Sequence, residues 1–286
     1  MKIVRATEMG MCFGVRDALQ ITREVSDPTQ VTVHGELVHN PAVINQLSAA
    51  GFAQAAEDDR QSLPDRPVVL ITAHGVSNRE RSRLQNQGKQ LIDTTCPLVR
   101  RVHDAAFELA SQDRHVLLIG KSGHVEVLGI VDDLESYDVI CSAQQVQTYG
   151  HQRLGVICQT TMPTAVVDQI RLQIETLNPA ADIRFVDTVC HPTKRRQQAM
   201  LDLLGRVDAV VVVGGRNSNN TQRLVTLCEQ RGVPALHVTC SDEIDPDWFS
   251  DVQTVGLTAG TSTLDETIDD VERRLQEIAA CESVTG

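Results

Sequence analysis

The sequence predicts an α/β fold built from parallel sheets, and two features of its patterning carry that prediction. Short, nearly continuous apolar runs recur along the chain, which is typical of strands buried on both faces of a sheet. Each run ends in small or polar residues and is followed at once by a helical pattern, and this alternation indicates α/β architecture. The clearest runs begin at Val68, His115, Leu154, Ala209 and Thr254.

Three cysteines divide the chain into segments of similar length. Cys96 lies 84 residues after Cys12, and Cys190 lies 94 residues after Cys96. The last two share the phrase apolar-Asp-Thr-x-Cys with paired arginines nearby, and all three stand where a strand would meet a helix. These intervals predict three similar α/β domains. Their predicted bounds are 13–96, 97–188, and 189–281 together with 1–12, with 282–286 as a tail.

Composition excludes several classes of partner. A formal net charge of -12 repels duplex nucleic acid and anionic membrane surfaces, and 3% aromatic residues leave little material for stacking on bases. No apolar run reaches 18 residues, and the first residues lack the apolar core of a secretory signal. We therefore expect a cytoplasmic protein that binds neither nucleic acid nor membrane. A small anionic substrate is still compatible, since a local pocket of amides and imidazoles can overcome the overall charge.

Polar side chains gather where the apolar runs end. Ligands of parallel α/β folds bind beyond the carboxyl ends of the strands, where helix N-termini present amide donors. The side chains at these turns are hydroxyl, amide and imidazole groups, which suit a diphosphate or a similar anion. Glu126 is the one carboxylate in the same turns. Helix capping explains any single one of them, but five turns of shared chemistry favour a binding role. The residues are His74, Ser77, His124, Thr160, Thr161, Asn217, Ser218, Asn220, Thr258, Thr261 and Ser262.

The eight cysteines include no CxxC pair, so any metal site must be assembled from distant segments. Three thiolates at Cys12, Cys96 and Cys190 would hold a [4Fe–4S] cluster and leave one iron open to substrate. Two alternatives are a zinc site completed by His191 or another histidine, and three buried apolar cysteines that bind no metal.

The turn Gly-His-Val-Glu places His124 and Glu126 just beyond an apolar run. Beside a dry pocket, a glutamic acid with a raised pKa would donate a proton to a leaving hydroxyl group. The alternative interpretation is an ordinary capped turn.

Nine motifs follow one another along nearly the whole chain: GMCFGV, LVHNP, TAHGVS, DTTCPLV, GHVEVLG, QTT, VDTVC, GGRNSNN and TAGTS. In this order they resemble the 4-hydroxy-3-methylbut-2-enyl diphosphate reductase family of the non-mevalonate isoprenoid pathway. Each motif alone is weakly specific, whereas the ordered set is highly specific.

The resemblance implies three α/β domains in a pseudo-threefold trefoil around a central [4Fe–4S] cluster, ligated by Cys12, Cys96 and Cys190. It implies reductive loss of the C4 hydroxyl as water, giving isopentenyl and dimethylallyl diphosphate, with electrons from a ferredoxin or flavodoxin. Glu126 would donate the proton, and His124 and Thr160 would bind the substrate near its hydroxyl. The remaining substrate-binding residues would be His39, His74, Ser218, Asn219, Asn220 and Ser262.

The sequence departs from the family pattern in three places. Asn219 stands where the family usually has serine, and Thr263-Leu264 follows Ser262 where a proline is common. His191-Pro192 follows the third cysteine in place of Tyr or Asn and then Ala. The alternatives are a paralogue with a shifted substrate, a non-redox iron–sulfur lyase resembling quinolinate synthase, and a non-catalytic binding protein for a phosphorylated metabolite.

Overall fold

The structure is a computed structural model that describes residues 1–57, 60 and 62–285, without the side chains of Asn219 and 282–285. The strands are β1 Lys2–Arg5, β2 Val31–Val33, β3 Ala53–Gln54, β4 Val68–Ile71, β5 Gln90–Asp93, β6 His115–Ile119, β7 Tyr137–Ile140, β8 Arg153–Cys158, β9 Asp182–Phe185, β10 Ala209–Val213, β11 Ala235–Val238 and β12 Thr254–Ala259. The α-helices are α1 Phe13–Arg23, α2 Pro41–Ala49, α3 Asn78–Asn86, α4 Pro97–Ala110, α5 Val125–Val131, α6 Thr164–Leu177, α7 His191–Leu204, α8 Asn219–Gln230 and α9 Asp265–Thr285. Short 3-10 helices lie at Pro28–Gln30, Ala143–Gln145, Ser241–Glu243 and Pro246–Phe249.

The strands form three four-stranded sheets in which neighbouring strands are parallel. Their orders are β3-β2-β4-β5, β7-β6-β8-β9 and β11-β10-β12-β1. Adding four to each strand number converts the first order into the second. The same step converts the second into the third, with β1 in place of a thirteenth strand. The prediction of three similar parallel-sheet α/β units is therefore confirmed.

The five apolar runs of the sequence are central strands of these sheets. They correspond to β4, β6, β8, β10 and β12, and each is followed by a helix. Every residue of β6 and β10 is buried, whereas the edge strands β1, β5 and β9 have no buried residue. A strand covered on both faces must be apolar throughout, so the central strands are visible in the sequence and the edge strands are not.

The chain divides into two compact units. The first unit comprises Met1–Val15, His39–Ala42 and His191–Gly286, and the second comprises Arg16–Val38 and Val43–Cys190. The first unit contains the sheet β11-β10-β12-β1, and the second contains the other two sheets. The predicted domain bounds at 96/97 and 188/189 stay predictions.

Each unit has an aliphatic core, as 3% aromatic residues require. In the first unit, Val211, Leu257 and Leu275 pack with the buried ring of Phe249. In the second unit, Leu117 and Val156 belong to one such cluster. Of the described helices, none is both long and apolar enough to cross a membrane. α9 continues to Thr285, so 282–285 of the predicted tail are helical, while Gly286 lies outside the described residues.

Candidate functional site

The three predicted ligand cysteines occupy equivalent places in the three sheets. The edge strands β1, β5 and β9 hold the same position in their sheet orders, and one cysteine follows each of them. Cys12, Cys96 and Cys190 directly precede α1, α4 and α7 and are partly exposed, whereas Cys158 and Cys228 are buried. The positive end of a helix dipole stabilises a thiolate at this place.

One backbone hydrogen bond recurs at all three cysteines. Each cysteine amide donates to the carbonyl of the residue two positions beyond the end of the neighbouring central strand. The N···O distances are 3.3 Å from Cys12 to Thr261, 3.1 Å from Cys96 to Ala73 and 2.9 Å from Cys190 to Thr160. The repeat seen in the sequence is therefore a repeat of local geometry, and it presents three thiols in the same local setting.

This donor set fits an iron–sulfur cluster, which proteins hold through cysteine thiolates. In the zinc alternative, His191 or another histidine would be the fourth ligand. In the structure the exposed His191 ring stacks on Phe13, with ring centroids 5.6 Å apart and an interplanar angle of 10°. This stacking gives His191 a packing contact with the residue that follows Cys12.

Glu126, at the start of α5, is a buried carboxyl group in the second unit. Only 2% of the residue is exposed. Its Oε1 accepts from the Thr160 amide at 2.7 Å, and its Oε2 accepts from the Thr160 hydroxyl at 2.8 Å. Burial raises the pKa of Glu126 from 4.5 to about 7, although the two bonds from Thr160 act in the opposite direction. A carboxyl group with this pKa can hold a proton and release it near neutral pH.

His124 is positioned by the turn that leads from β6 into α5. Gly123 adopts a positive φ of 78°, and His124 then caps the helix by accepting from the Glu126 amide through Nδ1 at 3.1 Å. Because Nδ1 accepts, the neutral ring carries its proton on Nε2. The His124 ring also meets His74 edge to face, with centroids 5.7 Å apart.

The predicted residues of the second unit are joined by successive contacts. His74 follows Ala73, whose carbonyl accepts from Cys96, and the His74 ring contacts His124. From His124 the contacts continue through Glu126 and Thr160 to the amide of Cys190. Two cysteines and the predicted proton donor therefore belong to one connected set.

The first unit gathers most of the residues predicted to hold a diphosphate. The Ser262 hydroxyl donates to the His39 carbonyl at 3.2 Å. Ser218 caps α8, with its Oγ accepting from the Thr221 amide at 3.4 Å. A Cβ added to Gly215 would lie 3.1 Å from the His39 carbonyl, so this turn passes close to His39. Asn220 is buried in the first turn of α8.

The predicted site thus falls into two sets, each within one unit. Those in the first unit are Cys12, His39, Ser218, Asn220 and Ser262, and those in the second are His74, Cys96, His124, Glu126, Thr160 and Cys190. The Asn219 side chain lies outside the described residues.

Sequence reasoning missed the role of Asn40. Its Nδ2 donates to the Ser262 carbonyl at 2.5 Å, and its Oδ1 accepts from the Ala42 amide at 2.9 Å. The signal was available, since asparagine followed by proline is a common helix start. The turn after Ser262 is held without a proline, because the Thr263 hydroxyl donates to the Val213 carbonyl at 3.0 Å and Leu264 is buried.

In the described residues these features define a class: an α/β protein of three parallel sheets, with a thiol at three equivalent helix starts and a buried carboxyl group at Glu126. The LytB protein family model matches residues 3–276. The chain therefore belongs to the LytB family.

Three similar proteins are named as reductases of a hydroxymethylbutenyl diphosphate. A 4-hydroxy-3-methylbut-2-enyl diphosphate reductase of Aquifex aeolicus (strain VF5) is 32% identical, over 99% of each chain. A reductase of the same name from Trichlorobacter lovleyi is 34% identical, over 97% of this chain and 99% of its own. The solved E-1-hydroxy-2-methyl-but-2-enyl-4-diphosphate reductase of Plasmodium falciparum has a TM-score of 0.87 and 25% identity, over 96% of this chain and 88% of that one.

Proposed function

We propose that this chain catalyses the reductive dehydroxylation of 4-hydroxy-3-methylbut-2-enyl diphosphate to isopentenyl and dimethylallyl diphosphate. Two electrons and two protons replace the C4–O bond by a C–H bond and release the hydroxyl group as water. Family membership and the names of the relatives support the reaction. The observation that carries it is the buried Glu126 carboxyl, whose pKa of about 7 suits a proton donor.

The electrons require a cofactor, and Cys12, Cys96 and Cys190 are the residues that would hold a [4Fe–4S] cluster. When bound, the cluster would supply electrons to the substrate one at a time. The matching amide bonds and helix starts support a common role for the three thiols. A ferredoxin or flavodoxin would supply the electrons. Ligand thiols require a reducing compartment, which favours the cytoplasm.

Glu126 would protonate the leaving hydroxyl group. Thr160 donates two hydrogen bonds to the carboxyl and fixes both of its oxygens. The hydroxyl of Thr160 would take part in binding the substrate oxygen. His124, whose Nδ1 accepts from the Glu126 amide in the helix cap, would take part in binding the same oxygen.

Hydroxyl and amide groups of Ser218, Asn219, Asn220 and Ser262 would bind the diphosphate, and the imidazoles of His39 and His74 would also contribute. The first turn of the 12-residue helix α8 adds amide donors and the positive end of its dipole. These groups give a local attraction for a dianion on a chain whose net charge is -12.

The test uses protein purified without oxygen and incubated with reduced viologen and the allylic diphosphate. We expect substrate-dependent bleaching of the viologen and release of both isomeric diphosphates. Viologen that stays blue while substrate is untouched would reject the reductase. Consumption of the allylic diphosphate without oxidation of viologen would instead indicate a non-redox lyase.

Serine variants of the three cysteines test the cofactor separately. Cys96→Ser should lose most of its bound iron, with Cys12→Ser and Cys190→Ser behaving alike. The exposed Cys141 provides the matched control, and Cys141→Ser should retain the iron of the wild type. Full iron content in all three ligand variants would reject their role.

A further inference from the structure

Arg196 of α7 is a buried cation, with only 4% of the residue exposed. Its Nη2 donates to the carbonyl of Gly10 at 2.5 Å, and its Nη1 donates to the carbonyl of Pro192 at 3.3 Å. The first contact crosses 186 positions of the sequence. A charged donor forms a stronger hydrogen bond to a carbonyl than a neutral donor does. Arg196 therefore joins α7 to the turn that precedes Cys12.

The turn from Gly10 to Cys12 is held on two sides. On one side, the amides of Gly10 and Cys12 donate to Ala259 and Thr261 at the end of β12, each at 3.3 Å. On the other side, Arg196 binds the Gly10 carbonyl. Gly10 has φ of +74°, and a Cβ there would approach Ile268 to 2.8 Å. The backbone of this turn is therefore closely confined, and the distance along the chain from Gly10 to Cys12 is at most about 7 Å.

A second contact joins the same two segments. Phe13, next to Cys12, stacks on His191, the first residue of α7. His191 follows Cys190 in the chain, so α7 contacts the Cys12 turn at its first residue and again at Arg196. Its exposed neighbour Arg195 forms a 3.8 Å ion pair with Glu8, which is a weak surface contact.

We propose that Arg196 is a positioning residue that fixes the Cys12 turn and places a permanent positive charge beside the centre that Cys12 would help to hold. The placing of the charge rests on the proposed function, whereas the fixing of the Cys12 turn does not. An arginine stays charged at every working pH. A cluster gains negative charge on reduction, so a nearby buried cation favours the reduced state.

The first experiment measures amide hydrogen exchange by mass spectrometry in the cluster-free protein. Arg196→Gln keeps a donor and loses the charge, whereas Arg196→Lys keeps the charge and loses the planar pair of donors. In both variants we expect the peptide that contains Gly10 and Cys12 to exchange about tenfold faster or more, since neither side chain can bind the Gly10 and Pro192 carbonyls through the two arms of a guanidinium. The exchange rate of the peptide that contains Cys96 should not change in these variants. In the control Arg195→Gln, no peptide should exchange faster than in the wild type.

The second experiment measures the midpoint of a reductive titration of the cluster-loaded protein by electron paramagnetic resonance. Arg196→Gln should shift the midpoint to a more negative potential, whereas Arg196→Lys should stay near the wild type. A role in folding alone would lower thermal stability in both variants and would not separate their potentials.

Unchanged exchange at Gly10 and Cys12 in the variants would overturn the positioning role. Equal potentials in the two variants would overturn the role of the charge. If Arg196→Gln fails to fold, exchange in Arg196→Lys decides the first part. If the wild type binds no iron, the proposed function fails, while the exchange result still decides whether Arg196 holds the turn.

Discussion

Replacing Glu126 by glutamine tests the buried acid through stability as well as through activity. The amide has nearly the same shape, and it can still accept from the Thr160 amide and donate to the Thr160 hydroxyl. Glu126→Gln therefore removes the ionisation while keeping the contacts. The two proteins should differ mainly in what happens when the carboxyl loses its proton.

The size of the effect follows from the shift in pKa. Burial raises the pKa of Glu126 from 4.5 to about 7, so the folded state holds a proton that the unfolded state releases. The resulting stability is fully present below about pH 4.5 and is lost as pH rises through about 7. At about 1.4 kcal/mol per pKa unit, the loss amounts to about 3 kcal/mol by pH 8. Glu126→Gln should not show this loss.

The assay is urea unfolding of both proteins between pH 4.5 and 8, read as the difference in their free energies of unfolding. That difference should change by about 3 kcal/mol in favour of the variant as pH rises. Glu135 is exposed and belongs to the same unit, so Glu135→Gln is the matched control and should stay within about 0.5 kcal/mol of the wild type.

Turnover gives the second measurement. The wild-type rate should fall above about pH 7, as the carboxyl loses the proton it must donate. Glu126→Gln should retain the cluster spectrum and lose about a hundredfold or more in rate, without that pH-dependent fall. A stability difference that is the same at pH 4.5 and pH 8 would refute the buried neutral acid. Near-normal turnover would refute its role as donor.

Three further predictions concern neighbouring and structural residues. Thr160→Val removes a hydroxyl bond that lowers the pKa of Glu126, so the fall in rate should move to higher pH, and an unchanged profile would contradict this. Ser77→Ala removes the cap of α3 and a hydrogen bond to Asp132, so urea unfolding should show a loss of about 1–3 kcal/mol, and no loss would refute the cap. Leu117→Ala opens a cavity in the core that packs against β6 and should lower the free energy of unfolding by about 2–5 kcal/mol. A loss below about 1 kcal/mol would contradict this, because it would mean that the core closes around the smaller side chain.

The sequence predicted the central strands because residues covered on both faces must be apolar. It predicted the three cysteine junctions because the same phrase recurs before α4 and α7. It could not predict β9 or β11 with equal clarity, since edge strands have one covered face and mixed composition. The motif GHVEVLG indicated a turn with an acid, but the burial of Glu126 depends on packing against Thr160, 34 residues further on.

Other contacts between residues distant in sequence could not be predicted either, because they depend on how the folded elements pack. The paired arginines after Cys190 were visible in the sequence, yet nothing there distinguishes the buried Arg196 from the exposed Arg195. That difference arises from the helical period, which turns one side chain toward the Cys12 turn and its neighbour toward solvent. Asn40 was likewise missed, because its contact with the Ser262 carbonyl joins residues 222 positions apart.

The pairing of β1 with β12 has a consequence for the order in which the protein can be assembled during synthesis. β1 is translated before the strand it pairs with, so Lys2–Arg5 must wait for Thr254–Leu257. The supports of the Cys12 turn also follow it in the chain, first Arg196 and then, after β12, Thr261. Sheets β3-β2-β4-β5 and β7-β6-β8-β9 draw only on strands made earlier. Cys12 therefore reaches its final geometry only after Thr261 has been made, and any metal centre that needs Cys12 would be completed after that point.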